Sequence, residues 1–189
     1  MTREELVQKI EELKKEKNAI VLAHYYSNPD VQDIADFLGD SLELSRKAGT
    51  AEADMIVFAG VHFMAETAAL ISPKKKVLVP ALGAGCTLAD GACGKDLADW
   101  KAANPDGTIV SYVNTTAEVK SHTDICCTSA NALSIVKGLP ADAKVLFVPD
   151  KNLGGYIMSQ TGRKMELYDG CCKVHDQVTT EMVKEMMAK

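Results

Sequence analysis

Ala19-Ile-Val-Leu-Ala-His-Tyr-Tyr26 is a short apolar run that closes on three polar, ring-bearing residues. Asn28-Pro29 follows, a cap residue and then a proline at a first helical position. An unbroken apolar run too short for a helix, shut off by a helix start, reads as a strand buried on both faces. His24, Tyr25 and Tyr26 then stand at its carboxyl end. The same grammar recurs along the chain. Met55–Ala59, Val77–Val79, Ile109–Val113, Val145–Val148 and Met165–Tyr168 read as strands. Thr2 and Glu5 form a capping box for a first helix with Leu6, Ile10 and Leu13 on one face. Further helices are predicted from Asn28, from Asp40 to near Gly49, over Phe63–Ile71, near Thr116, near Ser129, from Leu153 and from Thr179 to Met187. Strands alternating with helices imply parallel sheets covered on both faces.

The chain also aligns on itself. An offset of 88 residues sets His24 on Tyr112, Tyr26 on Asn114, Val31 on Val119, Asp36 on Asp124 and Ser41 on Ser129. It also sets Asp54 on Asp142 and Val57 on Val145 without a gap, and Cys86 and Cys172 lie 86 residues apart. This is the signature of an internal duplication. The expected fold is therefore α/β: two pseudo-symmetric, Rossmann-like three-layer units with short parallel sheets. Residues 1–104 are expected to hold the first unit with its N-terminal helix, and residues 105–189 the second with a C-terminal linker helix.

Ligands of open α/β sheets bind beyond the carboxyl ends of the strands. Here that edge carries His24, Tyr26, Tyr112, Asn114, Cys86 and Cys172. Ser41 and Ser129 each follow the strand-end residue by 17 positions, at expected helix starts. Free N–H groups and the dipole there, with a hydroxyl added, suit a carboxylate or phosphate. The thiols suit soft metal chemistry. A [4Fe–4S] cube held by only three thiolates leaves one iron open as a Lewis acid. Two repeats supply two such cysteines, so the arithmetic points to a third unit with a third Cys, which these 189 residues do not contain.

Composition narrows the class. The net charge is −5 and the one dense basic run, Lys74-Lys75-Lys76, leads into an apolar run, so nucleic acid is not an expected partner. The N-terminal residues are charged and amphipathic, without the apolar core of a signal peptide, and no apolar run reaches membrane-spanning length. A soluble, cytoplasmic protein with reduced thiols is expected. Cys93, Cys126 and Cys127 read as structural or incidental thiols, His62 as a surface residue or one that supports the site from behind, and His122 as a solvated residue. His175 reads either as a neighbour of Cys172 or as a structural hydrogen-bonding group.

Several stretches are specific in combination: Leu22-Ala-His-Tyr-Tyr26, Val31-Gln-Asp-Ile-Ala-Asp-Phe-Leu-Gly-Asp-Ser-Leu42, Phe58-Ala-Gly-Val-His-Phe-Met-Ala-Glu-Thr67 and Gly85-Cys-Thr-Leu-Ala-Asp90. The second half adds Tyr112-Val-Asn-Thr-Thr-Ala-Glu-Val-Lys120, Cys126-Cys-Thr-Ser-Ala-Asn131, Val148-Pro-Asp-Lys-Asn-Leu-Gly154 and Gly170-Cys-Cys-Lys-Val-His175. In this order they resemble the quinolinate synthase family along almost the whole chain. The resemblance implies three pseudo-symmetric α/β domains around a [4Fe–4S] cluster with three Cys ligands. It implies a transferase of NAD biosynthesis that condenses iminoaspartate with dihydroxyacetone phosphate to quinolinate, releasing phosphate and water. A functional link to an L-aspartate oxidase or aspartate dehydrogenase comes with it.

Residue by residue, Cys86 matches the first cluster ligand, and Cys172 rather than Cys171 the second. His24 and Ser41 match residues that hold substrate carboxylates, and Tyr26 a mobile tyrosine of proton transfer. Tyr112, Asn114 and Ser129 match substrate contacts of the second domain. His24, Tyr26 and Tyr112 are the expected catalytic set. The family's third domain, with a His-Pro-Glu-Cys segment and the third cluster Cys, is absent from this sequence, so a truncated chain is expected. Two other classes fit the residues alone: a dicarboxylate-binding module without chemistry, and a hydro-lyase of the aconitase type.

Overall fold

The computed structural model describes every residue, Met1–Lys189, and divides the chain into two compact units, Met1–Cys86 and Thr87–Lys189. The first opens on α1 (Arg3–Glu16), where Thr2 Oγ1 accepts from the Glu5 N–H and the Glu5 carboxylate from the Thr2 N–H, as expected. Then come β1 (Ala19–His24), α2 (Pro29–Asp33), β2 (Phe37–Gly39), α3 (Ser41–Thr50), β3 (Met55–Ala59), α4 (His62–Ile71) and β4 (Lys76–Leu78). The strands are parallel in the order β2-β1-β3-β4. The second unit contains α5 (Gly94–Ala103), β5 (Thr108–Tyr112), α6 (Ala117–Ser121), β6 (Ile125–Cys127), α7 (Ala132–Gly138) and β7 (Val145–Val148). It ends with α8 (Lys151–Thr161), β8 (Glu166–Leu167), a 3₁₀ turn at His175–Gln177 and α9 (Thr180–Met187). Its sheet is again parallel, in the order β6-β5-β7-β8.

The division between units falls at Cys86/Thr87, ahead of the expected boundary at 104/105. Helix α5 is the reason. Leu97 of α5 and Ala92 just before it share one core with Ile109, Val119, Leu146 and Val148. On the other face of the same sheet, Val110, Val145 and Phe147 pack with Ala132 and Val136 of α7 and Ile157 of α8. Successive strand side chains point to opposite faces, so β5 and β7 feed two helical layers. In the first unit Leu22, Ile56 and Phe58 are buried with Leu44 and Ala48 of α3 and Phe63 and Ala68 of α4. Burying each large apolar side chain stabilises by about 1.5–3 kcal/mol. These layers make both units α/β sandwiches of the Rossmann type.

The 88-residue offset is a structural equivalence. It carries Pro29–Asp33 onto Ala117–Ser121 and Phe37–Gly39 onto Ile125–Cys127. The Asp36 N–H donates to Val21 O at 2.9 Å, and the Asp36 carboxylate accepts from the Val21 N–H at 2.7 Å. Asp124 and Ile109 repeat both bonds at 3.1 and 2.8 Å. Lys14 and Lys101, each from the helix before the first strand of its unit, pair with these carboxylates at 2.9 Å. The equivalence is not gapless, however. Val21 pairs with Val57, while its counterpart Ile109 pairs with Leu146. Val57 therefore matches Leu146 rather than Val145, the Asp54–Asp142 match lapses with it, and the second copy holds one extra residue between β6 and β7.

In sheets ordered 2-1-3-4 the chain reverses its direction of winding between the first and third strands, and ligand sites form beyond that point. Here those are the carboxyl ends of β1 and β3, and of β5 and β7.

Candidate functional site

His24 is the last residue of β1, paired with Gly39 of β2. The Tyr26 N–H donates to His24 Nδ1 at 3.2 Å, and the two rings lie 4.5 Å apart at an interplanar angle of 40°. Burial pushes the imidazole below its ordinary value, against a smaller opposite pull from the Asp40 carboxylate. His24 is therefore neutral at pH 7. With Nδ1 accepting, the proton resides on Nε2, which is left to donate. The Tyr26 side chain is 88% exposed.

Ser41 is the first residue of α3, at the same sheet end, two residues after Gly39. The helix start differs from the expected anion cradle. The Leu42 and Glu43 N–H groups donate to Asp40 Oδ1 at 2.8 and 2.9 Å, and the Glu43 carboxylate accepts from the Asp40 N–H. A full capping box thus takes up two of the N–H groups that an anion would use and brings two carboxylates to the spot. What Ser41 offers there is its hydroxyl. Cys86 is half-buried at the end of the loop after β4, and that loop is tied to α4 by the His62 N–H donating to Ala84 O at 2.8 Å. His62 Nδ1 stands 3.8 Å from Glu66.

In the second unit Tyr112 is the half-buried last residue of β5, paired with Cys127. The Asn114 amide oxygen is buried and accepts no hydrogen bond from the protein. Ser129 lies two residues beyond Cys127, as Ser41 lies beyond Gly39, but it stands exposed in a turn, and α7 begins only at Ala132. Asn131 Oδ1 accepts from the Thr128 N–H and hydroxyl, and Thr128 O accepts from the Asn131 and Ala132 N–H groups, so a hydrogen-bonded turn precedes the helix. The expected helix start at Ser129 is thus displaced.

Burial pushes the Cys127 thiol up to about 12 and raises Cys126 as well. A thiol so hard to ionise is a poor nucleophile and a poor metal ligand, in line with a structural part for Cys127. Cys93 precedes α5, and its N–H donates to the Tyr168 hydroxyl at 3.3 Å. Cys172 is half-buried and free. Its N–H donates to Asp150 Oδ2 at 3.2 Å, while Asp150 Oδ1 accepts from the Asn152 and Leu153 N–H groups and caps α8. Asp150 is 7% exposed and also bridges Gly170 as a strand neighbour. It is the residue that fixes the Gly170–Cys172 loop, a part that its residue type and place in Val148-Pro-Asp-Lys do not reveal.

Cys86 and Cys172 are thiols of the right chemistry for an iron–sulfur cluster, one in each unit. No three His, Cys, Asp or Glu side chains converge to form a complete set. The two thiols fit such a group in kind, without forming a ligand set by themselves.

The first unit presents imidazole, phenol, hydroxyl and thiol groups at the carboxyl end of its doubly wound parallel sheet, and the second phenol, amide, hydroxyl and thiol groups, which defines a duplicated α/β protein of the Rossmann class. The chain belongs to the quinolinate synthetase A protein family, whose model matches residues 8–189. It is 54% identical over 177 residues to the quinolinate synthase of Nostoc sp., covering 94% of this chain and 55% of that relative. The quinolinate synthase of Trichodesmium erythraeum is 52% identical over 183 residues, covering 97% and 57%. That of Desulforudis audaxviator is 54% identical over 180 residues, covering 95% and 59%. The chain thus spans a little over half the length of these curated relatives. Among solved structures, the E-1-hydroxy-2-methyl-but-2-enyl-4-diphosphate reductase of Plasmodium falciparum shares 13% identity at a TM-score of 0.34, covering 96% of this chain and 58% of that one. That likeness is too remote to bear on fold or function.

Proposed function

We propose that this chain serves quinolinate synthesis, the condensation of iminoaspartate with dihydroxyacetone phosphate with release of phosphate and water. The observation that carries the reading is identity above one half to several quinolinate synthases across nearly the whole chain. The edge chemistry is compatible with it. A neutral His24 donates from Nε2 to a substrate carboxylate, and the hydroxyls of Ser41 and Ser129 add donors to anionic groups. The unsatisfied Asn114 amide oxygen accepts from an N–H or hydroxyl of the bound intermediate, which offsets the cost of its burial. Tyr26, exposed and tilted against His24, and Tyr112 move or hold protons at their phenol oxygens. Cys86 and Cys172 would hold two corners of a [4Fe–4S] cluster, with the third thiolate supplied from outside these 189 residues. Such a cluster, when bound, supplies an open iron that polarises a hydroxyl. The implied supplier of iminoaspartate is an L-aspartate oxidase or aspartate dehydrogenase. Thiols kept free suit the cytoplasm, and no helix is long and apolar enough to cross a membrane.

The test is anaerobic. The chain is reconstituted with iron and sulfide and incubated with dihydroxyacetone phosphate and iminoaspartate generated from oxaloacetate and ammonia. The remaining length of a relative is supplied as a second polypeptide in one arm. Quinolinate in that arm, lost with His24→Ala and with Cys172→Ala, is the expected result. Binding of a dicarboxylate without quinolinate formation in either arm would overturn the reading in favour of a binding module. Turnover of a hydroxy acid without triose phosphate would favour a hydro-lyase.

A further inference from the structure

Two side chains outside the expected site set occupy the same place in the repeat. Gln32 Nε2 donates to Tyr25 O at 3.1 Å and to Ser27 O at 2.8 Å. Lys120 Nζ donates to Val113 O at 2.9 Å and to Thr115 O. The 88-residue offset carries Gln32 onto Lys120, Tyr25 onto Val113 and Ser27 onto Thr115. Each donor comes from the single-turn helix after the strand end, α2 or α6, and each is half-buried. In each case the two accepted carbonyls flank one residue: Tyr26 in the first unit and Asn114 in the second.

The chemistry explains why a clamp is needed there. The turn leaves the sheet, so its carbonyls lose their ladder partners and must find other donors. A Gln amide carries two N–H bonds and a Lys ammonium three, enough to span two carbonyls from one atom. The rest of each turn is tied down as well. The Ser27 N–H donates to His24 O at 2.8 Å and its hydroxyl to Ala59 O at 2.9 Å. The Thr115 hydroxyl donates to Tyr112 O, and its N–H to Val113 O at 2.8 Å. The residue between the clamped carbonyls is thereby held at the sheet edge, whichever side chain it carries. The two copies keep the geometry and differ in charge, with a neutral amide in the first and a cation in the second.

We propose that Gln32 and Lys120 are positioning residues, repeat-equivalent clamps that fix the strand-end turns presenting Tyr26 and Asn114. The role assigned to those turns rests on the quinolinate reading above, whereas the clamp is readable without it. Gln32→Leu and Lys120→Met remove the donors at similar volume. Amide hydrogen exchange on the full chain is expected to quicken about tenfold at Ser27 in the first variant and at Thr115 in the second, the scale of one lost hydrogen bond. Protection in β3 and β7 stays at its wild-type level. Gln32→Lys and Lys120→Gln, which trade the two donors between units, keep wild-type exchange. Quinolinate, titrated against the His24 imidazole resonances, is expected to bind about tenfold more weakly to the Leu and Met variants and normally to the traded ones. Unchanged exchange at Ser27 and Thr115 in the Leu and Met variants overturns the clamp. Quickened exchange with unaltered quinolinate affinity overturns the positioning role. A wild-type chain that binds no quinolinate overturns the reading of the edge, and the clamp then stands or falls on exchange alone.

Discussion

His24 combines three circumstances that are separable at the level of single atoms. It ends a buried strand, its Nδ1 accepts from the Tyr26 N–H, and burial holds its imidazole below the ordinary value. A histidine whose folded pKa is depressed binds fewer protons than it does in the unfolded chain. Stability therefore rises with pH between the folded value and the unfolded value near 6.5, and levels off above it. Measured by urea unfolding from pH 5 to 8, the wild-type midpoint should climb through the lower half of that range. His24→Gln, which keeps an acceptor and does not titrate, should flatten the His24 share of that climb. An identical slope in the two proteins would show that His24 is not a depressed group. Asp124 titrates in a different window. Burial raises it, but the Ile109 N–H and Lys101 outweigh this and hold the carboxyl below its ordinary value. Its contribution is complete above about pH 4 and is lost as pH falls further, so the two groups do not confuse each other. At this scale the sequence was informative about type and place: the imidazole at a strand end and the paired Asp36 and Asp124 were all visible. The Asp40 cap of α3 is legible as well, whereas a serine at a helix start looks the same whether or not a partner such as Glu43 completes the box and its neighbours' N–H groups are taken.

Elements were legible in proportion to their length. Every strand of four or more residues was predicted, since an unbroken apolar run needs no tertiary context to be recognised. β2 and β6 were missed. They have three residues each, and their pairing with β1 and β5 holds them extended, helped by the aspartate that bonds the neighbouring strand. Helix α5 was missed as well, its start carrying Gly94 with no side-chain cap. A loop can be as strictly determined as a strand, and the one bearing Cys172 illustrates this. A Cβ on Gly170 would stand 2.4 Å from Pro149 O, a backbone atom that cannot rotate aside. Gly170→Ala must therefore displace either the loop or the start of α8, breaking the Lys151 N–H bond to Gly170 O and the Cys172 N–H bond to Asp150. The expected cost is on the order of 2–3 kcal/mol in urea unfolding, as for other overpacked sites. Faster exchange of the Cys172 amide should accompany it. Gly155, with open space at its Cβ position, is the control, and Gly155→Ala should cost nothing measurable. Equal effects at the two glycines would remove the steric account.

For the whole molecule the repeat was the most productive reading, because an offset found between residue types became an equivalence between hydrogen bonds. It also had a blind side. Gln32 and Lys120 occupy one position and perform one task with unlike chemistry, so a comparison of residue types passes over them. The extra residue between β6 and β7 is likewise hidden, since Val57 against Val145 looks as good a match as Val57 against Leu146. Two sheets of the same order should also open in the same order. The inner strands β1, β3, β5 and β7 carry many side chains with no exposure at all, among them Leu22, Ile56, Phe58, Ile109, Val110 and Phe147. β4 and β8 are edges with one neighbour each, two or three residues long, and Leu78 on β4 is 41% exposed. Amides in the inner strands exchange only when a unit opens as a whole, while edge amides exchange by local fraying. Native-state hydrogen exchange should accordingly rank β1 and β3 above β4, and β5 and β7 above β8, by about a hundredfold or more in each unit. Phe147→Ala, which leaves a cavity costing about 3–5 kcal/mol, should lower protection across β5 and β7 together rather than at one residue. If the β8 amides outlasted those of β5, or if Phe147→Ala loosened β7 alone, the second sheet would not be a single cooperative layer.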